Sequence, residues 1–232
     1  MRVVVVGVPT HDGRVTVQFA HAMVETVMLA AGHMIQIMPI YLAYESLLER
    51  ARNQIVSMTL ASSASDLVFI DADEAWDPAA FLRLLSHPVD VVGLPVVRKT
   101  DEGLAFNIRA DLPMAVDEKT GLIPVISVGT GFLRVTRRAL EAVAKACGTY
   151  RDDDGREWRH VFKTAVIDGR YHSEDVMFCK SLGVLGFQTW VDPTATVAHT
   201  GVKTWAGDFL QWAQAADAFA PKAAPAEIVA GA

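Results

Sequence analysis

Leu67-Val68-Phe69-Ile70-Asp71-Ala72-Asp73 is four apolar residues followed at once by two carboxylates. A short run that is apolar at every position reads as a strand covered on both faces. It belongs to a series. Residues 2–8 (RVVVVGV) form a first strand of the same kind, and a helix over 15–31 ends at Gly32. A second strand spans 34–40. The next helix spans 45–62, with Leu47, Leu48, Ile55, Met58 and Leu60 at helical spacing among Glu49, Arg50 and Arg52. The third strand is 66–70. Beyond the carboxylates, Asp77 is placed to cap a helix with Pro78 at its first position, and a fourth strand covers 90–97. This alternation predicts an α/β fold with a mainly parallel central sheet flanked by helices, its connections right-handed.

The second half is less regular. It reads as a hairpin region over 104–124, a strand over 125–128 and a helix over 136–146, giving a smaller mixed β region. Residues 150–171 contain Arg151-Asp152-Asp153-Asp154-Gly155-Arg156 and few core residues, so they are expected as an exposed loop able to close over a ligand. No repeat or second domain is evident. One domain is expected over 1–220, with a nucleotide-binding half (1–100) and a second half (101–205), followed by a frayed Ala/Pro-rich tail over 221–232.

With 232 residues, 51% of them hydrophobic, the chain can bury a full core, which excludes disorder over most of its length. Its 21 Lys+Arg against 27 Asp+Glu give a net charge of -6, contrary to a sequence-independent grip on nucleic acid. The uncharged stretch 26–44 approaches membrane-spanning length, but Gly32, His33, Gln36 and Pro39 divide it into a helix end, a turn and a strand. No transmembrane segment is expected. Cys147 and Cys179 have no CxxC spacing and read as reduced thiols of a cytoplasmic protein.

Three places carry chemistry. In an open α/β sheet ligands sit beyond the carboxyl ends of the strands, where Asp71 and Asp73 emerge. Oxygen ligands there suit magnesium or manganese bridging a diphosphate, whereas an isolated pair of this kind more commonly just opens a polar loop. His172-Ser173-Glu174-Asp175 opens a helix whose dipole alone accounts for both carboxylates, yet either is also suited to act as a general base. His199, before Thr200-Gly201, is a structural residue on its own and a metal ligand in combination with the upstream carboxylates.

In this order the segments FIDADEAWDP (69–78), GTGFLRVTRRALE (129–141), SEDVMFCKSLGVLGFQTWVDP (173–193) and AHTG (198–201) resemble glycosyltransferases of the GT-A fold, which carry a DxD motif and use nucleotide sugars. The likeness runs from Val3 to about Gly201 and is similar to that of single-domain bacterial and phage enzymes. It implies a metal-dependent, inverting transfer of a sugar from a nucleoside-diphosphate sugar, with a UDP-sugar favoured, to a hydroxyl. It further implies that Asp73 holds Mn (or Mg) directly, with Asp71 on the ribose or on the metal through water and His199 completing the ligands.

Ala72 lies between the two carboxylates in the donor site. Pro9 and Thr10 match the place that receives the base, with Asp12 assisting, and Arg52-Asn53 resembles a recurring pair near the donor. The alternative for Arg52 is a solvated helix face. Gly129, Thr130 and Gly131 match the acceptor side, and Asp175 matches the catalytic base, with Glu174 supporting it. Arg98 and Lys99 read as solvent-facing loop cations, with charge stabilisation of the leaving group as their alternative role, Arg137-Arg138 as an exposed helix start, and Trp205 and Trp212 as packing residues of a tail helix, with stacking on a sugar or ring as the alternative.

The acceptor is left open among a surface glycan, a lipid-linked sugar, a small metabolite, a protein and a modified base of phage DNA. The rival readings are a sugar nucleotidylyltransferase, disfavoured because residues 7–14 lack a Gly-rich, basic phosphate loop, and a non-catalytic nucleotide-sugar or carbohydrate-binding protein.

Overall fold

Residues 1–201 and 203–216 are described by a computed structural model; the expectation for 221–232 lies outside the described residues. The apolar strands build one seven-stranded sheet in the order Ile35–Ala43, Arg2–Thr10, Asp66–Ile70, Phe132–Thr136, Val91–Gly93, Thr189–Val191, Ile123–Val125. Five strands run one way, while Phe132–Thr136 and Ile123–Val125 run against them. The α/β class with a mostly parallel sheet is therefore observed.

Side chains alternate across a strand, so each strand feeds two cores. Val5, Leu67 and Phe69 point to one face, packed with Ile55 and Val56 of α2 (Leu48–Ala61) and Leu140 and Val143 of α4 (Arg137–Ala146). Val4, Val6, Val68 and Ile70 point to the other, against Phe19 and Met23 of α1 (Val17–Gly32) and Phe81 and Leu84 of α3 (Pro78–Ser86). Asp77 caps α3 as the Pro78 position demands, accepting from the Ala79 amide at 2.8 Å. Among the described residues no helix is long and apolar enough to cross a membrane. Cys147 and Cys179 are free thiols.

The reversed strand Phe132–Thr136 is the feature that periodicity did not disclose. It fits between parallel neighbours with the help of a buried charge system. Arg134 donates to Asp66 at 2.8 Å and to the carbonyls of His87 and Val89 at 3.0 Å, and Asp66 also accepts from Arg2 at 2.9 Å. Burial of such a charge is tolerable because Nε and Nη1 of Arg134 and both oxygens of Asp66 have partners.

Other expectations are corrected. The fourth strand is only Val91–Gly93, because Pro95 lacks the amide hydrogen that would continue it, and Val96 and Val97 make isolated bridges. The strand over 125–128 breaks at Ile126, whose amide bonds to the Arg109 carbonyl at 2.7 Å. Ser127–Val128 then pairs with Ile108–Arg109, so no simple hairpin forms over 104–124. Arg137 is not an exposed helix start, since it donates to the carbonyls of Thr59 (3.2 Å), Ser62 and Ala64 (2.7 Å) around the end of α2. Trp205 lies in a short strand, Thr204–Trp205, while Trp212, in α6 (Phe209–Ala215), packs on Phe106 and Phe209.

Residues 150–171 are more ordered than a bare loop. They contain two hairpins, Thr149–Arg151 with Glu157–Arg159 and Ala165–Ile167 with Arg170–His172, and between them Val161 and Phe162 are fully buried. Asn53 fastens this segment: its Oδ1 accepts from the amides of Val161 (2.9 Å) and Phe162 (2.7 Å), and its Nδ2 donates to the Phe162 carbonyl (2.8 Å). The Asn53 amide is thus committed to this backbone and not to a donor site. Asn53→Ala would leave these buried groups unpaired, at a cost of about 3 kcal/mol. The melting temperature should fall by about 6–12 °C, and a change under about 2 °C in a thermal melt would show that the clamp is not made.

Candidate active site

The parallel strand Asp66–Ile70 and the reversed strand Phe132–Thr136 pair Ile70 with Phe132, so the exit of one lies beside the entrance of the other. Asp71 consequently meets Gly131, its amide donating to the Gly131 carbonyl at 2.9 Å. This approach admits no side chain, because a Cβ on Gly131 would fall 2.2 Å from Glu74 Oε1 and 3.1 Å from Asp71 Oδ2. The segment Gly129-Thr130-Gly131 therefore lies against the carboxylates rather than across a cleft from them.

Asp71 is held by Arg52, which corrects the solvated-face alternative for that arginine. Arg52 is 3% exposed and donates to Asp71 Oδ1 at 3.1 Å and to Glu174 Oε1 at 2.5 Å. One guanidinium thus joins the carboxylate after the third strand to the first turn of α5 (Glu174–Val184). Its effect on a ligand would run through these two acids. Asp175 is engaged differently, accepting from the Ser173 hydroxyl and, at 2.7 Å, from the Val176 amide.

Asp73 meets His199 because two short strands pair antiparallel, Glu74–Trp76 with Val197–Thr200, and the Thr200 amide donates to the Asp73 carbonyl at 2.8 Å. His199 Nδ1 lies 2.8 Å from the Val97 carbonyl, and since a carbonyl only accepts, Nδ1 carries a proton. Nε2 then faces Asp73 Oδ1 at 3.5 Å. In the neutral ring this juxtaposes two acceptors, which a divalent cation or a second imidazole proton reconciles. An N/O pair of this kind fits manganese or magnesium whose remaining positions are filled by diphosphate and water. Among the described residues no three metal-ligating side chains are preassembled: Asp71 is turned to Arg52, and Lys99 Nζ contacts Asp73 Oδ2. Lys99 is exposed, as a loop cation is expected to be, and its ammonium nonetheless belongs to the site.

A cleft of about 680 Å³ opens in front of this pair, lined by Pro9, Thr10, Asp12 and Arg14 on one side and by Asp71, Ala72, Asp73 and His199 on the other. The Thr10 hydroxyl is turned to the Leu42 carbonyl at 3.2 Å, so this residue presents its backbone and methyl group. Asp12 is exposed at the rim, accepting from the Arg14 amide at 3.1 Å.

Glu74 was missed by sequence reasoning. It is 1% exposed, and burial pushes its pKa well above the usual carboxylate range, reinforced by the charges of Asp71 and Asp73. The available signal was its place between the DxD and the apolar Ala75-Trp76, where a glutamate enters a buried strand. Asp73 moves the other way: burial raises its pKa, but His199 and Lys99 together outweigh that and leave it lowered.

No protein-family model matches the chain, and no curated protein sequence matches it. Among solved structures, A197 from STIV superposes with a TM-score of 0.52 at 17% identity, over 87% of this chain and 86% of that one, which establishes a shared fold. The structural neighbours also include glycosyltransferases. One, involved in the glycosylation of the major capsid of PBCV-1, matches at 13% identity and a TM-score of 0.33, over 61% of this chain and 62% of that one. S. aureus TarS 1-349 in complex with UDP-GlcNAc matches at 10% identity and a TM-score of 0.43, over 82% of this chain and 56% of that one. Superpositions this loose bear on neither reaction nor ligand.

The contact of Lys99 with Asp73 has a direct readout. Lys99→Met should move the Asp73 carboxyl titration upward, followed by carboxyl-carbon NMR of the ligand-free protein; an unmoved titration would mean that the pair does not form in solution.

Proposed function

We propose that the chain is a metal-dependent glycosyltransferase that moves a sugar from a nucleoside-diphosphate sugar to an acceptor hydroxyl. The observation that carries this reading is the convergence of Asp73 and His199 Nε2 at the carboxyl ends of the parallel strands, at the inner end of a cleft of nucleotide size. Nδ1 of His199 is already tied to the Val97 carbonyl, which orients the ring and leaves Nε2 available as a ligand.

Asp73 and His199 would hold Mn²⁺ or Mg²⁺, which supplies positive charge against the departing diphosphate. Pro9, Thr10 and Asp12, which line the same cleft, would receive the nucleoside, with a UDP-sugar as the first donor to try. Lys99, paired with Asp73 in the ligand-free protein, would turn its ammonium toward a phosphate oxygen once Asp73 is otherwise engaged.

Inversion at the anomeric carbon requires a base to take the proton of the acceptor hydroxyl, and we assign that to Asp175. Glu174 supports this assignment as the positioning partner: its ion pair with Arg52 ties the start of α5 to Asp71.

Ligand that binds only the native state raises its stability by mass action, so a thermal-shift panel of nucleoside diphosphates and nucleotide sugars, with and without manganese, is the test. One nucleotide should stabilise the wild-type protein only when manganese is present. Asp73→Asn and His199→Ala should each remove that shift while leaving the ligand-free melt within a few degrees; a normal shift in both would eliminate them as ligands. Asp175→Asn should retain the shift and lose transfer by a factor of about 100 or more, and undiminished transfer would exclude it as the base.

A further inference from the structure

Asp71 and His199 border two spaces. One is the nucleotide-sized cleft; the other is a recess of about 70 Å³, whose other walls are Glu74, Asn107, Gly129 and Gly131 together with Val96, Val97 and Arg98. It has room for a few water-sized groups and none for a nucleobase.

Its walls mix apolar and polar groups, and one polar group is unmatched. Glu74 Oε2 is buried with no hydrogen-bond partner among the described residues. An unpaired polar atom at such a depth is costly, which makes it a marker of something that binds there. The glycines keep the recess open. A Cβ on Gly131 would run into Glu74 Oε1 at 2.2 Å, and one on Gly129 would lie 3.0 Å from Asn107 Nδ2. Asn107 is exposed, so its amide forms an adjustable rim over a fixed floor.

We propose that this recess receives a hydroxyl-bearing edge of the transferred sugar, read by Glu74 at the floor and Asn107 at the rim. The inference rests on the glycosyltransferase reading and reassigns Gly129 to Gly131 from the acceptor to the donor. The order of groups along the ligand supports this assignment. With the nucleoside in the front cleft and the diphosphate at Asp73 and His199, the sugar is what lies next along the chain. A hydroxyl both donates and accepts, so it can answer a carboxyl oxygen on one side and an amide N–H on the other. A site built this way rejects a sugar lacking that hydroxyl, because the buried Glu74 oxygen would again be unpaired.

The test compares, by isothermal titration calorimetry with manganese, bare UDP and GDP with UDP-glucose, UDP-galactose, UDP-xylose, GDP-mannose and GDP-fucose. At least one sugar carrying the full set of hydroxyls should bind about tenfold tighter than its own bare nucleotide, and its deoxy or pentose counterpart should lose that surplus. Asn107→Ala and Glu74→Gln should each reduce the surplus to about twofold or less. Asn107 is at the surface, so its variant carries the test if Glu74→Gln fails to fold. Binding of a bare nucleotide with no sugar surplus, or with a surplus that survives Asn107→Ala, overturns the recess and leaves the glycosyltransferase reading standing. No binding of any nucleotide overturns both.

Discussion

The site depends on a strand that runs the wrong way. Had Phe132–Thr136 been parallel to Asp66–Ile70, its amino end would lie at the opposite end of the strands and the Gly-Thr-Gly segment would be a strand's length away from the carboxylates. Because it is antiparallel, the chain enters this strand where its neighbour exits, and Gly131 accepts from the amide of Asp71. Arg134 and Asp66 support the arrangement within the sheet, since the carbonyls of His87 and Val89, in the turn between α3 and Val91–Gly93, are answered from the Arg134 side chain.

That geometry gathers acids. Asp71, Asp73, Glu74 and Glu174 come from two distant parts of the sequence, and their mutual repulsion would oppose folding without cations nearby. Arg52 answers Asp71 and Glu174 together, and Lys99 answers Asp73. Glu74 has no comparable partner and is the one driven toward its neutral form, first by burial. The division of labour is physical: Asp73, with Lys99 and His199 at hand, is favoured in its charged form, while the sealed Glu74 is favoured in its neutral form and can offer a ligand a hydrogen bond but not a charge.

The sequence disclosed whatever is local. Residues 66–70 are legible as a strand because they are apolar at every position, and α3 is legible because Asp77 and Pro78 are cap and first-turn residues by their own chemistry. Direction is not local, so the reversed strand escaped: Phe132-Leu133-Arg134-Val135-Thr136 has the same composition whichever way it runs. Partners on different elements escaped for the same reason, whether 109 residues apart, as Asn53 and Phe162 are, or 26, as Lys99 and Asp73 are. Asn53 looks like a donor ligand until Val161 and Phe162 are seen against it, and Lys99 looks like a loop cation until Asp73 is beside it. In the DxD region the pattern marked Asp71, Asp73 and His199, but nothing in the spacing distinguished the outward Asp73 from the buried Glu74 that follows it.

The histidine shows how little machinery separates a structural residue from a ligand. His199 sits on a short strand whose pairing with Glu74–Trp76 fixes its backbone, and the Val97 carbonyl fixes which ring nitrogen bears hydrogen. Remove that carbonyl and either tautomer would serve: Nε2–H could donate to Asp73, and the pair would be satisfied without any ion. With it in place, the neutral ring offers a lone pair to a carboxylate, an arrangement that repels unless positive charge lies between them. Lys99 supplies charge to the other oxygen of Asp73, not to the imidazole side. The backbone of residue 97, far from the motif in sequence, thereby decides whether the Asp73–His199 pair is a finished contact or an open one.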